Sequence, residues 1–157
     1  MDLRDYLIQT SVVETNYGRS ATVEEDATMR QAIGLMREKK VGCLLVTKGG
    51  LLRGILTERD LIRKVFGPGC SLDVPVHEVM TRDPVVTGSN EPLYRVLGRM
   101  YSGGFRYVPV VGEVGEALGT VSLPRVANLI ADSFAGVFAS KPLPPYQRGV
   151  LEEDEEN

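Results

Sequence analysis

Met36 and Met100, Gly34 and Gly98, and Val46 and Val110 are each 64 residues apart. Gly54 and Gly119, and Thr57 and Ser122, are 65 apart, so one residue has been inserted between the two sets of matches. A fixed period with matching element order constrains a fold more than any single motif, because one supersecondary unit has been used twice. That unit reads as β-α-β-β-α. In the first copy Thr22-Val23 is extended and Asp26 is the expected helix N-cap. Met29, Ala32, Ile33 and Met36 follow at the i, i+3, i+4, i+7 spacing of a helix with one buried face. Val41 to Thr47 and Leu51 to Leu56 read as a hairpin turned by Lys48-Gly49-Gly50. A helix from Thr57 to about Val65 is stopped by Gly67-Pro68-Gly69.

Residues 67–83 read as a connector with a short helical piece at Val76 to Met80. The order then repeats. Val85-Val86 is extended, Asn90 takes the place of Asp26, and Leu93, Val96, Leu97 and Met100 take the helical core positions. Tyr107 to Val111 and Ala117 to Val121 are strands around the loop Gly112 to Glu116, which carries the inserted residue. Ser122 starts a closing helix expected to run to about Phe138. The fold class is therefore α+β, with repeats over 10–66 and 76–135. Residues 1–20 form an N-terminal arm, in which Leu3, Leu7 and Ile8 line one helix face and Asn16 to Ser20 makes a turn. Residues 140–157 are a Pro-rich and acidic tail, expected to be disordered.

Composition narrows the function classes. With 157 residues, 43% hydrophobic and 25% charged, the chain is an ordinary globular protein. A net charge of −3 gives no basic field for nucleic acid and no polybasic anchor for lipid. No apolar run is long enough to span a membrane, and the charged start Met1-Asp2-Leu3-Arg4-Asp5 does not resemble a signal peptide, so a cytoplasmic location is expected. Cys43 lies in an apolar run and reads as a reduced, buried thiol, Cys70 lies in a loop, and no disulfide is expected. The single histidine, His77, has no second metal-ligand candidate beside it. No Walker or dinucleotide glycine loop is present, and no residue set explains turnover, so the chain is not expected to be an enzyme.

The chemistry concentrates at Gly54-Ile55-Leu56-Thr57-Glu58-Arg59-Asp60, where the period changes from strand to helix. A helix start offers N–H groups and the positive dipole end to a phosphate, and Asp60 offers a carboxylate to paired hydroxyls such as those of a ribose. The same four residues Thr57 to Asp60 also fit a capping box, in which threonine and carboxylate satisfy each other's backbone donors.

Two β-α-β-β-α repeats, each with Gly-apolar-X-Thr/Ser before its last helix, resemble a tandem of CBS domains, a Bateman module. Gly54 to Asp60 matches the family pattern Gly-hydrophobic-X-Thr-X-X-Asp in full. Gly119-Thr120-Val121-Ser122 begins it, but Arg125 stands where the aspartate belongs. The resemblance covers Thr10 to Ala135 and implies two repeats packed through their sheets about a pseudo-twofold axis, with two clefts that take AMP, ADP, ATP or S-adenosylmethionine. It implies that Asp60 accepts from the ribose, Thr57 donates to a phosphate and Ile55 packs on the nucleoside. Pro84-Val85-Val86 would grip the adenine, and Arg106 would meet phosphate with Arg59 as a further cation. A second cleft would use Thr22, Val121, Ser122 and Arg125, and Arg125 weakens it because it has no acceptor for a ribose. The expected role is a ligand-sensing regulatory module with no required cofactor, forming a homodimer and acting through an effector protein; the resemblance leaves magnesium open. The alternative is a dimerisation scaffold that binds no nucleotide, to which Arg125 and Gly42-Cys43 lend weight.

Overall fold

The computed structural model describes residues 1–17 and 20–136; the Pro-rich and acidic tail lies outside them. An N-terminal helix α1 (Leu3–Gln9) and a 3-10 turn (Val12–Thr15) precede the first repeat. There β1 (Thr22–Glu24) runs parallel to β2 (Cys43–Lys48), with α2 (Met29–Lys39) as the crossover, and β3 (Leu51–Thr57) returns antiparallel. One α-helical turn, α3 (Glu58–Asp60), passes directly into a π-helix over Leu61–Phe66. The connector supplies β4 (Thr81–Arg82), which pairs with β3 and completes a sheet ordered β1-β2-β3-β4. The second repeat holds α4 (Leu93–Gly103), the hairpin β5 (Tyr107–Val111) and β6 (Ala117–Ser122), and α5 (Leu123–Ser133).

The period survives in the hydrogen bonding. Val23 pairs with Val46 in the first repeat, and 64 residues on Thr87 bridges Val110 in the same parallel sense. The opening strand of the second repeat is thus reduced to Thr87, just beyond the Val85-Val86 expected from sequence. Both hairpins shift register at the same place, between Val46 and Thr47 and between Val110 and Val111. The first turns at Gly49 and Gly50, with φ of +58° and +83°, the left-handed geometry that a two-residue hairpin loop needs. In the second, only Gly115 has positive φ, and the longer loop absorbs the inserted residue.

The expected helix caps are corrected by the structure. Thr28, not Asp26, caps α2 in a reciprocal box with Gln31, and α4 starts after Pro92 with no side-chain cap, so Asn90 is not its N-cap. The reason is that other parts of the chain already fill the helix-start donors. The Met29 N–H donates to the Val74 carbonyl, and the Leu93 N–H to that of Thr10, both at 2.9 Å. The closing helix runs unbroken to Ser133, where Phe134 is set edge-on to Tyr6 of α1; its expected end near Phe138 lies outside the described residues.

These contacts show how the repeats are joined: the segment ahead of each repeat packs into the other one. Val76, Val79 and Met80 of the connector belong to the core of the first repeat, with Met29, Met36, Leu44, Val46 and Leu56. Val12 belongs to the core of the second, with Leu93, Val96, Met100, Val108, Val110 and Val121. Val12 and Val76 are 64 residues apart and both have no exposed surface. Burying one such side chain stabilises by roughly 1.5–3 kcal/mol.

Side chains alternate along a strand, so β2 and β3 bury two faces. Leu44, Val46 and Leu56 meet the helices, while Cys43, Leu45 and Ile55 pack toward Tyr107 and Ala117 of the other repeat. Double burial explains why Cys43 to Val46 reads as an unbroken apolar run. Burial pushes the Cys43 thiol from its ordinary 9.0 to about 11, so it is the neutral thiol expected from sequence.

Candidate functional site

The two sheets do not close against each other along their whole length, and a cavity of about 660 Å³ remains between them. From the first repeat it is lined by Ile55 at the end of β3 and by Thr57, Glu58, Arg59, Asp60, Ile62 and Arg63 of the following helix. Thr81 and Asp83 of the connector line it with Pro84 and Val85, which follow, and Gly103, Phe105, Arg106 and Tyr107 line it from the second repeat. Of the residues expected at this site, Ile55, Thr57, Arg59, Asp60, Pro84, Val85 and Arg106 share one cavity, and Val86 is not among its lining.

Asp60 is 7% exposed, and its carboxylate is fully engaged. Oδ2 accepts from the Thr57 N–H at 2.9 Å and from the Thr57 hydroxyl at 3.1 Å, and Thr57 Oγ1 accepts from the Asp60 N–H at 3.4 Å. This is the capping box read from the sequence, and it lies in the wall of the cavity. Oδ1 takes the ammonium of Lys64 at 2.9 Å and the hydroxyl of Thr81, from the connector, at 3.3 Å. The Glu58 N–H donates to the Gly42 carbonyl. The helix-start donors of Thr57, Glu58 and Asp60 are thus used within the protein, and the exposed anion-binding capacity of this wall lies in its arginines. Arg59 bonds the Gly104 carbonyl at the end of α4 at 3.0 Å, tying the repeats together at the cavity edge.

The cavity lining carries three cations, Arg59, Arg63 and Arg106, and three carboxylates, Glu58, Asp60 and Asp83. Asp83 has a φ of +45°, a left-handed conformation that aspartate tolerates better than most side chains, and it turns the chain from β4 into Pro84. Tyr107 is held above its usual pKa, first by partial burial and then by Cys43 and Glu58 nearby. Arg63, Glu58, Asp83 and Tyr107 were not singled out in the sequence. The signal for Arg63 was its position one turn after Arg59 on the same helix, and for Tyr107 its place beside Arg106.

The pseudo-equivalent cleft is built from different residues. Arg125 donates through Nη1 to the carbonyls of Thr15, at 3.3 Å, and Asn16, so its guanidinium clasps the N-terminal arm. Ser122 caps α5, accepting from the Arg125 N–H, and Thr22 is exposed on β1. Val121 is misplaced by the sequence reading: it is fully buried in the helix-facing core, because strand alternation turns it away from the cleft. Its neighbour Thr120 occupies the place of Ile55 and accepts from the Ser20 hydroxyl at 2.7 Å. Gly42 stands where Arg106 does in the other half, and a Cβ there would lie 2.4 Å from the Tyr107 hydroxyl. Among the described residues, this half has no carboxylate at the position of Asp60 and no cation at the position of Arg106.

Fold and cavity together define a two-repeat α+β module with a charged cleft between its halves. The chain belongs to the CBS domain family, which matches it twice, over residues 6–67 and 76–132. It is 32% identical over 128 residues to the CBS domain-containing protein YhcV of Bacillus subtilis, covering 79% of this chain and 91% of that one. The CBS domain-containing protein CBSCBSPB5 of Arabidopsis thaliana is 36% identical over 119 residues, 74% of this chain, which spans only 21% of that longer protein. Among solved structures, the CBS-domain containing protein ATU1752 from Agrobacterium tumefaciens is 34% identical, with a TM-score of 0.69 over 76% of this chain and 98% of that one. The CBS domain protein PAE2072 from Pyrobaculum aerophilum, complexed with AMP, shares the fold at 22% identity, with a TM-score of 0.72 over 81% of this chain and 99% of that one. Among the described residues no helix is long and apolar enough to cross a membrane.

Proposed function

We propose that this CBS pair is a regulatory module that binds one adenosyl ligand, such as AMP, ADP, ATP or S-adenosylmethionine, in the cavity beside Asp60. The observation that carries the reading is that one cavity gathers a diol acceptor (Asp60), an apolar surface (Ile55, Pro84, Val85) and three guanidinium groups (Arg59, Arg63, Arg106). A nucleotide needs each of these, and arginine to phosphate is among the stronger polar contacts. The AMP complex of PAE2072, a protein of the same fold, is consistent with it. Arg125 and Gly42 support a single ligand per chain, because among the described residues they stand where the first half has its acceptor, Asp60, and its cation, Arg106.

Ligand held between two repeats biases their packing only through its differential affinity for the two arrangements. The output then passes through a homodimer surface or an effector protein, an isologous dimer being the default symmetric assembly. Exposed Ile62 and Phe66, on the helix that carries Asp60, are suited to such a surface. Thermal denaturation with AMP, ATP and S-adenosylmethionine tests the reading. Ligand at 100 times its Kd adds about 2.7 kcal/mol of stability. A shift in the native protein that Asp60→Ala removes is the expected result. No shift with any of the three ligands overturns it and leaves the fold as a dimerisation scaffold.

A further inference from the structure

The Asp60 carboxylate has about four acceptor positions, and all are occupied. The two contacts on Oδ2 are the local cap, made by Thr57 alone. The two on Oδ1 come from elsewhere: Lys64 one helical turn on, and Thr81 in the connector. Lys64 also donates to the Val79 carbonyl at 3.0 Å. Its side chain is 42% exposed, so the ammonium has room to leave Asp60 for solvent while Asp60 stays in the wall. In the second repeat, the positions of Asp60 and Lys64 hold Arg125 and Leu129, so the carboxylate and its ammonium are absent together.

We infer that Lys64, which stands outside the cavity lining and acts through Asp60, is a positioning residue that sets the specificity of the cavity: it holds Asp60 Oδ1, and a ligand diol reaches that oxygen only by displacing Lys64 and Thr81. This rests on the cavity being an adenosyl site. Ligand binding there is an exchange. A neutral nucleoside gives up the ion pair and returns only hydroxyl contacts. An anionic nucleotide brings charge into the neighbourhood of the released ammonium. Lys64 therefore selects against uncharged nucleosides at a site whose apolar wall would accept them.

Calorimetric titration of adenosine and of AMP into the wild type, Lys64→Leu, Lys64→Arg, Thr81→Val and Asp60→Asn tests this. Lys64→Leu is expected to tighten adenosine by about tenfold, the size of one charge-assisted hydrogen bond, and to narrow the preference for AMP. Thr81→Val tightens adenosine by a smaller factor, and Lys64→Arg, which keeps the charge, restores the wild-type preference. A merely structural role for Lys64 would move both ligands together. Adenosine binding that Asp60→Asn abolishes, while Lys64→Leu leaves it unchanged or weaker, overturns this inference alone. Failure of every one of these proteins to bind either ligand, with no binding of ATP or S-adenosylmethionine to the wild type, overturns the adenosyl site itself, and this inference with it.

Discussion

Lys64 and Arg125 hold repeat-equivalent carbonyls in the two halves of the molecule. Lys64 donates to Val79 at 3.0 Å and Arg125 to Thr15 at 3.3 Å, acceptors that are 64 residues apart. The two cations come from different helix positions, because Arg125 replaces Asp60 and Leu129 replaces Lys64. The second repeat thus keeps the clasp on the crossing segment and gives up the carboxylate.

Arg125→Ala leaves the Thr15 and Asn16 carbonyls without their charged donor. Hydrogen bonds to charged groups contribute about 1.5–3 kcal/mol, so a loss of that order is expected in urea denaturation. Ligand affinity at the Asp60 cavity is expected to stay unchanged in a parallel titration, because Arg125 does not line it.

Arg125→Asp restores the family pattern in the second repeat without restoring a site. Gly42 still supplies no cation opposite it, and Thr120 remains bonded to Ser20. Calorimetric stoichiometry is expected to stay at one ligand per chain, and a second equivalent would show that the carboxylate alone decides.

Val12→Ala and Val76→Ala remove equivalent side chains from the two crossed cores. Each is expected to lower stability by about 2 kcal/mol, in line with large-to-small core changes. Because each core contains a piece of the chain ahead of the other, thermal unfolding is expected to remain one transition in both variants. Two separate calorimetric transitions would show that the halves fold independently.

Gly42→Ala places a methyl group 2.4 Å from the Tyr107 hydroxyl, so the ring has to shift. Overpacking of this kind costs about 1–3 kcal/mol. Since Tyr107 also lines the ligand cavity, weaker nucleotide binding is expected alongside the lower denaturation midpoint.

The Cys43 thiol gives a pH signature. Its folded pKa of about 11 lies above the ordinary 9.0, so the folded state retains a proton that the unfolded chain releases. Its contribution is fully present below pH 9 and is lost as pH rises through 11. Denaturation midpoints measured from pH 8 to 11 are expected to fall less in Cys43→Ser than in the native protein.

Most of the architecture was legible because it is written in local periodicity. The i, i+3, i+4, i+7 spacing of Met29, Ala32, Ile33 and Met36 located α2, and the glycines at 49 and 50 located the hairpin turn. The helix caps were not legible. Asp26 and Asn90 have suitable chemistry, but the donors they would serve are taken by Val74 and Thr10, far away in sequence. Val121 was misassigned because a cleft residue and a core residue differ by one position on a strand, and only the packed sheet decides which face is which.

Sequence by itself determined the duplication, the α+β class and the asymmetry between Asp60 and Arg125, since period, hydrophobic pattern and residue chemistry are all local properties. Tertiary structure alone decided that the segment before each repeat completes the other's core, and that Thr81 of the connector joins Lys64 on Asp60. Such pairings depend on closing loops of tens of residues, and no short-range pattern encodes where those ends will meet.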